Sequence, residues 1–236
     1  MPPEESTPPA RRVGRRAFLG LVGLGALGVA VGGRVQNVLG NAAGSGLGGI
    51  FPFGNNFRIY TISGNYPLIS PESYRLQVSG LVDHPTTYSL SDLESLPATT
   101  LVKTFQCVTG WQVPNVEWKG VRLAELLNAA GVQPGAVAVT FESYDGADTE
   151  SLTIDQAHLS DVIVAYEMLG KPVTREHGGP VRLYVAPMYG YKSLKWLSAI
   201  RVVDRVEPGY WERNGYPTNG WLDGTTGNTN PQLGLA

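Results

Sequence analysis

The sequence predicts an α+β domain that is mainly β, a mixed sheet with short helices scattered between its strands. Segments with the alternating or apolar runs of strands outnumber segments with helical periodicity. The chain holds 30 glycines and 17 prolines in 236 residues, which indicates many turns and connections. No segment repeats another, so a repeat architecture is not expected.

The predicted strands share alternating or continuous apolar residues. They are expected at 74–82, 101–107, 136–144, 162–168, 181–187 and 196–204, with a further short element at 151–154. A short helix is predicted at 91–96, where Ser91 and Glu94 have the spacing of a capping box. A second helix is predicted over 121–130, because its apolar residues recur at helical spacing and Gly131 follows as a C-cap.

Charge and cysteine content exclude several classes of protein. The net charge is −2, but residues 1–34 carry five arginines and two glutamates, which leaves 13 basic and 18 acidic groups in the rest of the chain. This mildly acidic body argues against a nucleic-acid surface. The single cysteine rules out an internal disulfide, a Cys–Cys zinc site, an iron–sulfur cluster and c-type haem attachment, since each needs more than one.

The N-terminus has the architecture of an export signal. Arg15 and Arg16 precede Phe18 and Leu19, and a glycine-rich apolar run follows. This order resembles the twin-arginine signal, so residues 1–34 are predicted to be a twin-arginine-type signal or a membrane anchor. The protein is therefore expected outside the cytoplasmic membrane, in the periplasm or an equivalent compartment. The sequence further predicts a Gly-rich linker over 35–54 and a folded domain over 55–236.

Cys107 lies where an apolar strand gives way to a Gly-Trp turn, at Gly110-Trp111. A side chain at the end of a strand can reach a ligand that the strand itself cannot. Free cysteines are, however, often small buried hydrophobic residues. The position alone leaves both readings open, a buried thiol or a metal ligand.

Common catalytic patterns are missing from the sequence. His84, His158 and His177 are widely separated and lack the helical spacing of a zinc pair. There is no nucleophile elbow and no dinucleotide fingerprint. Glu142 and Asp145 fall in a predicted turn, where solvated carboxylates are usual.

Two segments could each bind an anion. His177-Gly178-Gly179-Pro180-Val181-Arg182 combines glycines, which allow a close backbone approach, with an arginine that can donate two hydrogen bonds to a phosphate. In 189–196, Lys192, Ser193 and Lys195 surround a glycine turn and form a second candidate cradle. Either segment alone could be an ordinary hairpin turn. The two together, separated by one predicted strand, suggest a bound phosphate ester.

An ordered set of motifs resembles the molybdopterin-binding domain of the sulfite oxidase family. The set comprises Asn-Asn-Phe at 55–57, Cys-Val-x-x-Trp at 107–111, Phe-Glu-Ser at 141–143, His-Gly-Gly-Pro-Val-Arg at 177–182 and Tyr-Gly-Tyr-Lys-Ser-x-Lys at 189–195. Within the family, the chain is most similar to the branch of the periplasmic protein-methionine-sulfoxide reductase. The resemblance covers about residues 55–204 and implies a molybdenum–molybdopterin cofactor.

The resemblance also implies roles for individual residues. Cys107 would be the catalytic thiolate and the protein's ligand to molybdenum, with a soft sulfur on the metal. Ser143 stands where the branch has a threonine near the metal, and His177 where it has an asparagine. The residues implied to bind the cofactor are Asn55, Arg58, Ile59, Ser143, His177, Arg182, Ser193, Leu194 and Lys195, the last three at the terminal phosphate.

Two departures leave the substrate open. Thr109 stands where the methionine-sulfoxide reductase has a glutamate, and the stretch 110–113 lacks the arginine of animal and plant sulfite oxidases. We therefore expect two-electron oxygen-atom transfer on a small sulfur compound or a protein sulfoxide. Sulfite dehydrogenation and a non-catalytic exported binding module are the alternatives. A membrane haem protein or a soluble cytochrome is the expected electron partner, and the protein is expected to be a monomer.

Overall fold

The computed structural model describes residues 57–222, which all lie in one compact unit of the chain spanning 53–236. The predicted signal, the predicted linker and Asn55 lie outside the described residues. The described part contains two β-sheets and four short α-helices. This architecture agrees with the α+β, mainly β class predicted from the sequence.

The first sheet contains five strands in the order β2-β1-β10-β5-β6. Strands β1 and β10 are parallel, and the other pairs are antiparallel. The sheet is therefore mixed, as predicted. Its strands are β1 (Leu76–Gly80), β2 (Thr86–Tyr88), β5 (Ala138–Ser143), β6 (Thr149–Thr153) and β10 (Leu197–Val203).

The second sheet is antiparallel and runs in the order β3-β4-β7-β8, with β9 also paired to β7. Strand β7 is buried along almost its whole length, which explains its continuous apolar sequence Val-Ile-Val-Ala-Tyr-Glu-Met. The strands are β3 (Ala98–Gln106), β4 (Gln112–Arg122), β7 (Val162–Met168), β8 (Lys171–Pro172) and β9 (Arg182–Val185).

The helices are short and occupy connections between strands. They are α1 (Leu90–Ser95), α2 (Leu123–Ala130), α3 (Ile154–Ala157) and α4 (Tyr210–Arg213). Gly131 ends α2 with a left-handed conformation at φ 70°, as its predicted role as a C-cap requires. The predicted capping box of the first helix is displaced: Ser89 and Asp92 form it, rather than Ser91 and Glu94.

The core consists of two buried clusters. The larger joins α2 to both sheets through leucines and valines such as Leu126, Leu127 and Val164. The smaller is rich in aromatic residues, with Phe105, Trp118 and Tyr184 on strands of the second sheet and Trp111 in the β3–β4 turn. Cys107 packs against this second cluster, so aromatic side chains support the turn that carries it.

Candidate functional site

A cavity of about 300 Å³ opens at one end of the second sheet. It is bounded by the segment 57–62, the β3–β4 turn, the β5–β6 turn, the segments 176–182 and 190–196, and the chain around 211–216. Elements far apart in the sequence therefore converge on one space. A cavity of this size is at the lower end of the range for small-molecule and cofactor sites.

Cys107 lines this cavity at the tight turn between β3 and β4. Its N–H donates to Trp111 O at 2.9 Å, and its carbonyl accepts from Gly110 N–H at 3.0 Å. Gly110 has φ 93°, a left-handed conformation that favours glycine. The turn leaves the Cys107 side chain partly exposed rather than enclosed, so the thiol is accessible from the cavity.

A group of aromatic side chains packs against the turn that carries Cys107. The ring centroids of Phe105 and Trp111 are 5.9 Å apart, and Phe57 lies 5.4 Å from Phe105. Phe57 also contacts His177 edge to face at 4.9 Å. A Cβ at Gly190 would lie 2.4 Å from Phe105 Cζ, so the glycine is required for the 190–196 segment to pack this closely.

His177 forms part of the cavity wall, and the glycines after it pack against neighbouring segments. Burial lowers the pKa of His177, and Arg182 and Lys195 lower it further. The imidazole is therefore favoured in its neutral form, so it adds no charge to the cavity wall. Gly178 has φ 96°, and a Cβ there would lie 2.6 Å from the Lys195 side chain. The first candidate cradle is thus packed directly against the second.

Arg182 is 4% exposed and reaches the cavity from β9. It donates to the carbonyls of His177 at 2.7 Å, Ser193 at 2.6 Å and Leu183 at 3.3 Å. Its guanidinium also lies 5.1 Å from the centroid of the Trp118 ring. Burial lowers its pKa to about 10, so it stays cationic at neutral pH. The side chain joins both cradles and retains N–H donors for an anion, because an arginine has five of them.

Lys195 is the second cation of the cavity. Its ammonium donates to Tyr60 O and lies 4.7 Å from the centroid of the Trp196 ring. Burial, and then the neighbouring Arg182, lower its pKa to about 8. Ser193 is 4% exposed, lines the same cavity and accepts a hydrogen bond from Val185 N–H at 3.0 Å. Its hydroxyl proton can therefore still be donated.

Lys192 corrects one expectation from the sequence. It was expected to belong to the second anion cradle, but it does not line the cavity, and it is fully buried on the far side of the same turn. Its ammonium donates to Glu150 Oε1, and to Glu212 Oε1 at 2.8 Å. It also donates to the carbonyls of Ser151 at 2.9 Å and Thr218 at 3.0 Å. Its charge is therefore already matched by protein acceptors.

The β5–β6 turn adds two acidic groups to the cavity wall: Asp145, which was expected to be a solvated turn residue, and Asp148, which no sequence pattern indicated. Asp145 and Asp148 line the cavity, whereas Ser143 does not. The Ser143 hydroxyl donates to Asp145 Oδ1 at 2.5 Å and accepts from Asp148 N–H at 3.0 Å, so it stabilises the turn. Asp148 Oδ1 is buried without a hydrogen-bond partner. Burial, with Asp145 and Glu212 nearby, raises the pKa of Asp148 to about 7.

The C-terminal strap, residues 208–222, completes the cavity. Trp211 and Tyr216 line it and contact each other edge to face at 5.3 Å, and Tyr216 contacts Tyr191 at the same distance. Tyr191 also donates to Pro217 O at 2.8 Å. The strap therefore forms part of the cavity wall.

The structure brings most predicted site residues together. Arg58, Ile59, Cys107, His177, Arg182, Ser193 and Lys195 line one cavity. Leu194 is buried in the larger core cluster, and its carbonyl accepts from Leu183 N–H at 2.9 Å. Leu194 and Ser143 are therefore structural neighbours of the site in this arrangement, not part of its wall. Asn55 lies outside the described residues.

Comparisons with known proteins identify the class of this site. A family model described as "Oxidoreductase molybdopterin binding domain" matches residues 63–211. YuiH, an oxidoreductase of Bacillus subtilis, is 38% identical over 147 residues, which cover 62% of this chain and 74% of the relative. The chain belongs to the oxidoreductase molybdopterin-binding domain family, whose members include the sulfite oxidases.

Other relatives carry more specific names. Sulfite oxidase of Arabidopsis thaliana is 30% identical, over 69% of this chain and 51% of the relative. The protein-methionine-sulfoxide reductase catalytic subunit MsrP of Ralstonia nicotianae is 31% identical, over 61% and 47%. The sulfane dehydrogenase SoxCD of Paracoccus pantotrophus has a similar structure, with a TM-score of 0.57 and 27% identity over 60% of this chain and 41% of that one. This chain therefore spans about half or less of these three.

The residues of the cavity fit the family's molybdenum–molybdopterin cofactor. Cys107 offers a soft sulfur donor to the metal, and Arg182 and Lys195 offer cationic N–H donors to a phosphate. The unpaired Asp148 Oδ1 suits an N–H donor, and a pterin ring carries several such groups. Within 57–222, no cluster of three or more His, Cys, Asp or Glu side chains could hold a metal ion. A single protein ligand beside cofactor sulfurs needs no such cluster.

The described helices give no sign of a membrane span, since none of them is long and apolar enough to cross a bilayer. The predicted anchor or signal falls on residues outside the described part of the chain. It stays a prediction from the sequence.

Proposed function

We propose that this protein is an exported molybdenum oxidoreductase that carries out two-electron oxygen-atom transfer on a sulfur compound. The observation that carries the proposal is that one cavity is lined by a free thiol at Cys107 and by the cations of Arg182 and Lys195. The thiol suits the metal, which the sulfurs at one end of a molybdopterin also bind, and the two cations suit the phosphate at the other end. Export is proposed from the twin-arginine-like order at Arg15-Arg16.

The bound cofactor would supply the redox chemistry, because molybdenum exchanges two electrons between Mo(VI) and Mo(IV). The protein's own residues would hold and shape the site. Cys107 would contribute its sulfur as a thiolate, which requires loss of the thiol proton. Arg182, Ser193 and Lys195 would bind the phosphate, with Arg182 pre-positioned by three backbone carbonyls.

The surrounding side chains would control access to the reacting centre. Phe57, Trp111, Trp211 and Tyr216 bound much of the cavity with apolar surface, so they would exclude water and orient a substrate. Neutral His177 would keep a further positive charge out of the wall. Electrons would pass to or from a separate haem protein or cytochrome, because the single cysteine rules out c-type haem attachment and iron–sulfur clusters.

Two substrate classes follow from the names of the relatives, sulfoxides and inorganic or sulfane sulfur. The sulfoxide class is supported by the aromatic surface of the strap. The sulfite class is supported by the identity to the Arabidopsis enzyme. Dye-linked assays of both reactions with the purified, cofactor-loaded protein would separate the two classes.

The first test is metal content after expression in a host that makes molybdopterin. We expect molybdenum near one equivalent and loss of turnover in Cys107→Ser, with an unchanged melting temperature. Molybdenum far below one equivalent would refute the proposal, and would favour a binding module that keeps the fold without the chemistry. Full turnover in Cys107→Ser would remove the thiolate role.

A further inference from the structure

The turn that carries Cys107 also presents a hydroxyl to the sulfur. Thr109 Oγ1 lies 3.2 Å from Cys107 Sγ, within hydrogen-bonding distance for a sulfur atom. Both residues line the cavity, as does Val108 between them. The thiol and the hydroxyl therefore share one stretch of the cavity wall.

The geometry of the turn fixes this contact. Gly110 N–H donates to Cys107 O at 3.0 Å, and Cys107 N–H donates to Trp111 O at 2.9 Å, so the backbone on both sides of Thr109 is held. Gly110 supplies the left-handed conformation that lets the chain close so tightly. Thr109 is also stiff at χ1, because threonine is β-branched. Few degrees of freedom are left to separate the hydroxyl from the sulfur.

The direction of the hydrogen bond follows from the chemistry of the sulfur. A hydroxyl can donate or accept, but a thiolate bound to a metal can only accept. Once Cys107 is deprotonated, Thr109 must therefore be the donor. A hydrogen bond donated to a metal-bound thiolate draws electron density from the sulfur, weakens its donation to the metal and raises the reduction potential of the site.

We propose that Thr109 is a positioning residue for the Cys107 sulfur, and that its hydroxyl raises the reduction potential of the metal centre. The proposal rests on the proposed function, since it requires Cys107 to bind the metal. Thr109 orients the sulfur into the cavity and tunes it through one hydrogen bond. It does not itself contact the reacting atoms in this assignment.

Two substitutions separate the hydroxyl from the shape of the side chain. Thr109→Val keeps the branched shape and removes the hydroxyl, whereas Thr109→Ser keeps the hydroxyl and removes the methyl group. Thr109 is exposed in its turn, so neither change should affect folding. Thr109→Ala serves as a second variant without the hydroxyl, and melting temperatures check the fold of all three.

The measurement is the midpoint potential of the molybdenum centre, obtained by redox titration followed by electron paramagnetic resonance. Metal content is measured on the same samples. We expect full molybdenum content in all variants, a potential shifted downward in Thr109→Val and Thr109→Ala, and a potential near that of the wild type in Thr109→Ser. A kinetic change alone would not count, because loss of shape could also produce it.

The outcomes distinguish this inference from the proposed function. Full molybdenum content with the same potential in the wild type and in Thr109→Val would overturn the role of Thr109 and leave the proposed function intact. An equal downward shift in Thr109→Ser and Thr109→Val would also overturn it, since the methyl group would then be responsible. Absence of molybdenum from the wild type would refute both proposals together.

Discussion

Replacing Lys192 by methionine tests whether the C-terminal strap is held by a buried charge cluster. The Lys192 ammonium is fully buried and touches four acceptors, including Glu150 and Glu212, whose side chains are 1% and 3% exposed. Methionine preserves most of the volume but leaves two carboxyl groups buried without a cation. Removing one partner of a buried ion pair typically costs about 3–5 kcal/mol.

The expected loss in the free energy of unfolding is therefore about 4 kcal/mol, which corresponds to about 10 °C in melting temperature for a domain of this size. Lys119→Met is the matched control, because Lys119 also pairs with a glutamate at 2.6 Å but its side chain is 39% exposed. An exposed pair is worth about 0–1 kcal/mol. Chemical denaturation of both variants without cofactor measures the two costs.

The dependence on pH gives the prediction a second check. Burial, with Glu212 close by, already raises the pKa of Glu150, and Lys192 opposes that rise. Without Lys192, proton uptake by Glu150 relieves part of the cost, so the deficit should shrink as the pH falls. Hydrogen exchange should also rise in the strap, 208–222. A cost no larger than that of Lys119→Met, or one independent of pH, would refute the reasoning.

Two further predictions concern the cavity wall. The pKa of Asp148 is raised to about 7, so the folded state holds a proton that the unfolded state releases. Stability is therefore lost as the pH rises from about 4 to about 7. Asp148→Asn should flatten this decline in the cofactor-free protein, and an unchanged pH profile would contradict the burial of that carboxyl. Lys195→Met should lower cofactor retention on dialysis about tenfold, because a charged hydrogen bond is worth about 1.5–3 kcal/mol, and retention equal to the wild type would place the phosphate elsewhere.

The sequence predicted the larger elements of the fold well. Strand β7 coincides with its predicted range, and Gly131 ends α2 as expected. These features are local, because an apolar run and a glycine stop are visible without knowledge of their neighbours. Strand β4 was missed, since Pro114 and Gly120 interrupt its pattern. A Cβ at Gly120 would lie 2.1 Å from Val164 O, so close packing against β7 explains that glycine.

Predictions for the site also succeeded where the signal was local in the sequence and failed where it depended on distant residues. Residues in contiguous motifs, such as His177 and Lys195, converge on the cavity. Lys192 was misassigned because its partners Glu150 and Glu212 lie 42 and 20 residues away, and no local pattern reveals them. Asp148 was missed for a related reason: only the fold shows that this turn carboxyl is buried beside the cavity.

X-ray absorption at the molybdenum edge tests the central claim most directly. The wild-type protein and Cys107→Ser, both loaded with cofactor and matched in melting temperature, would be compared. If Cys107 binds the metal, the fitted number of sulfur ligands around molybdenum should fall by one in Cys107→Ser. An identical sulfur shell in the two proteins would show that the thiol in the cavity is not a ligand, and the proposed arrangement of the site would be wrong.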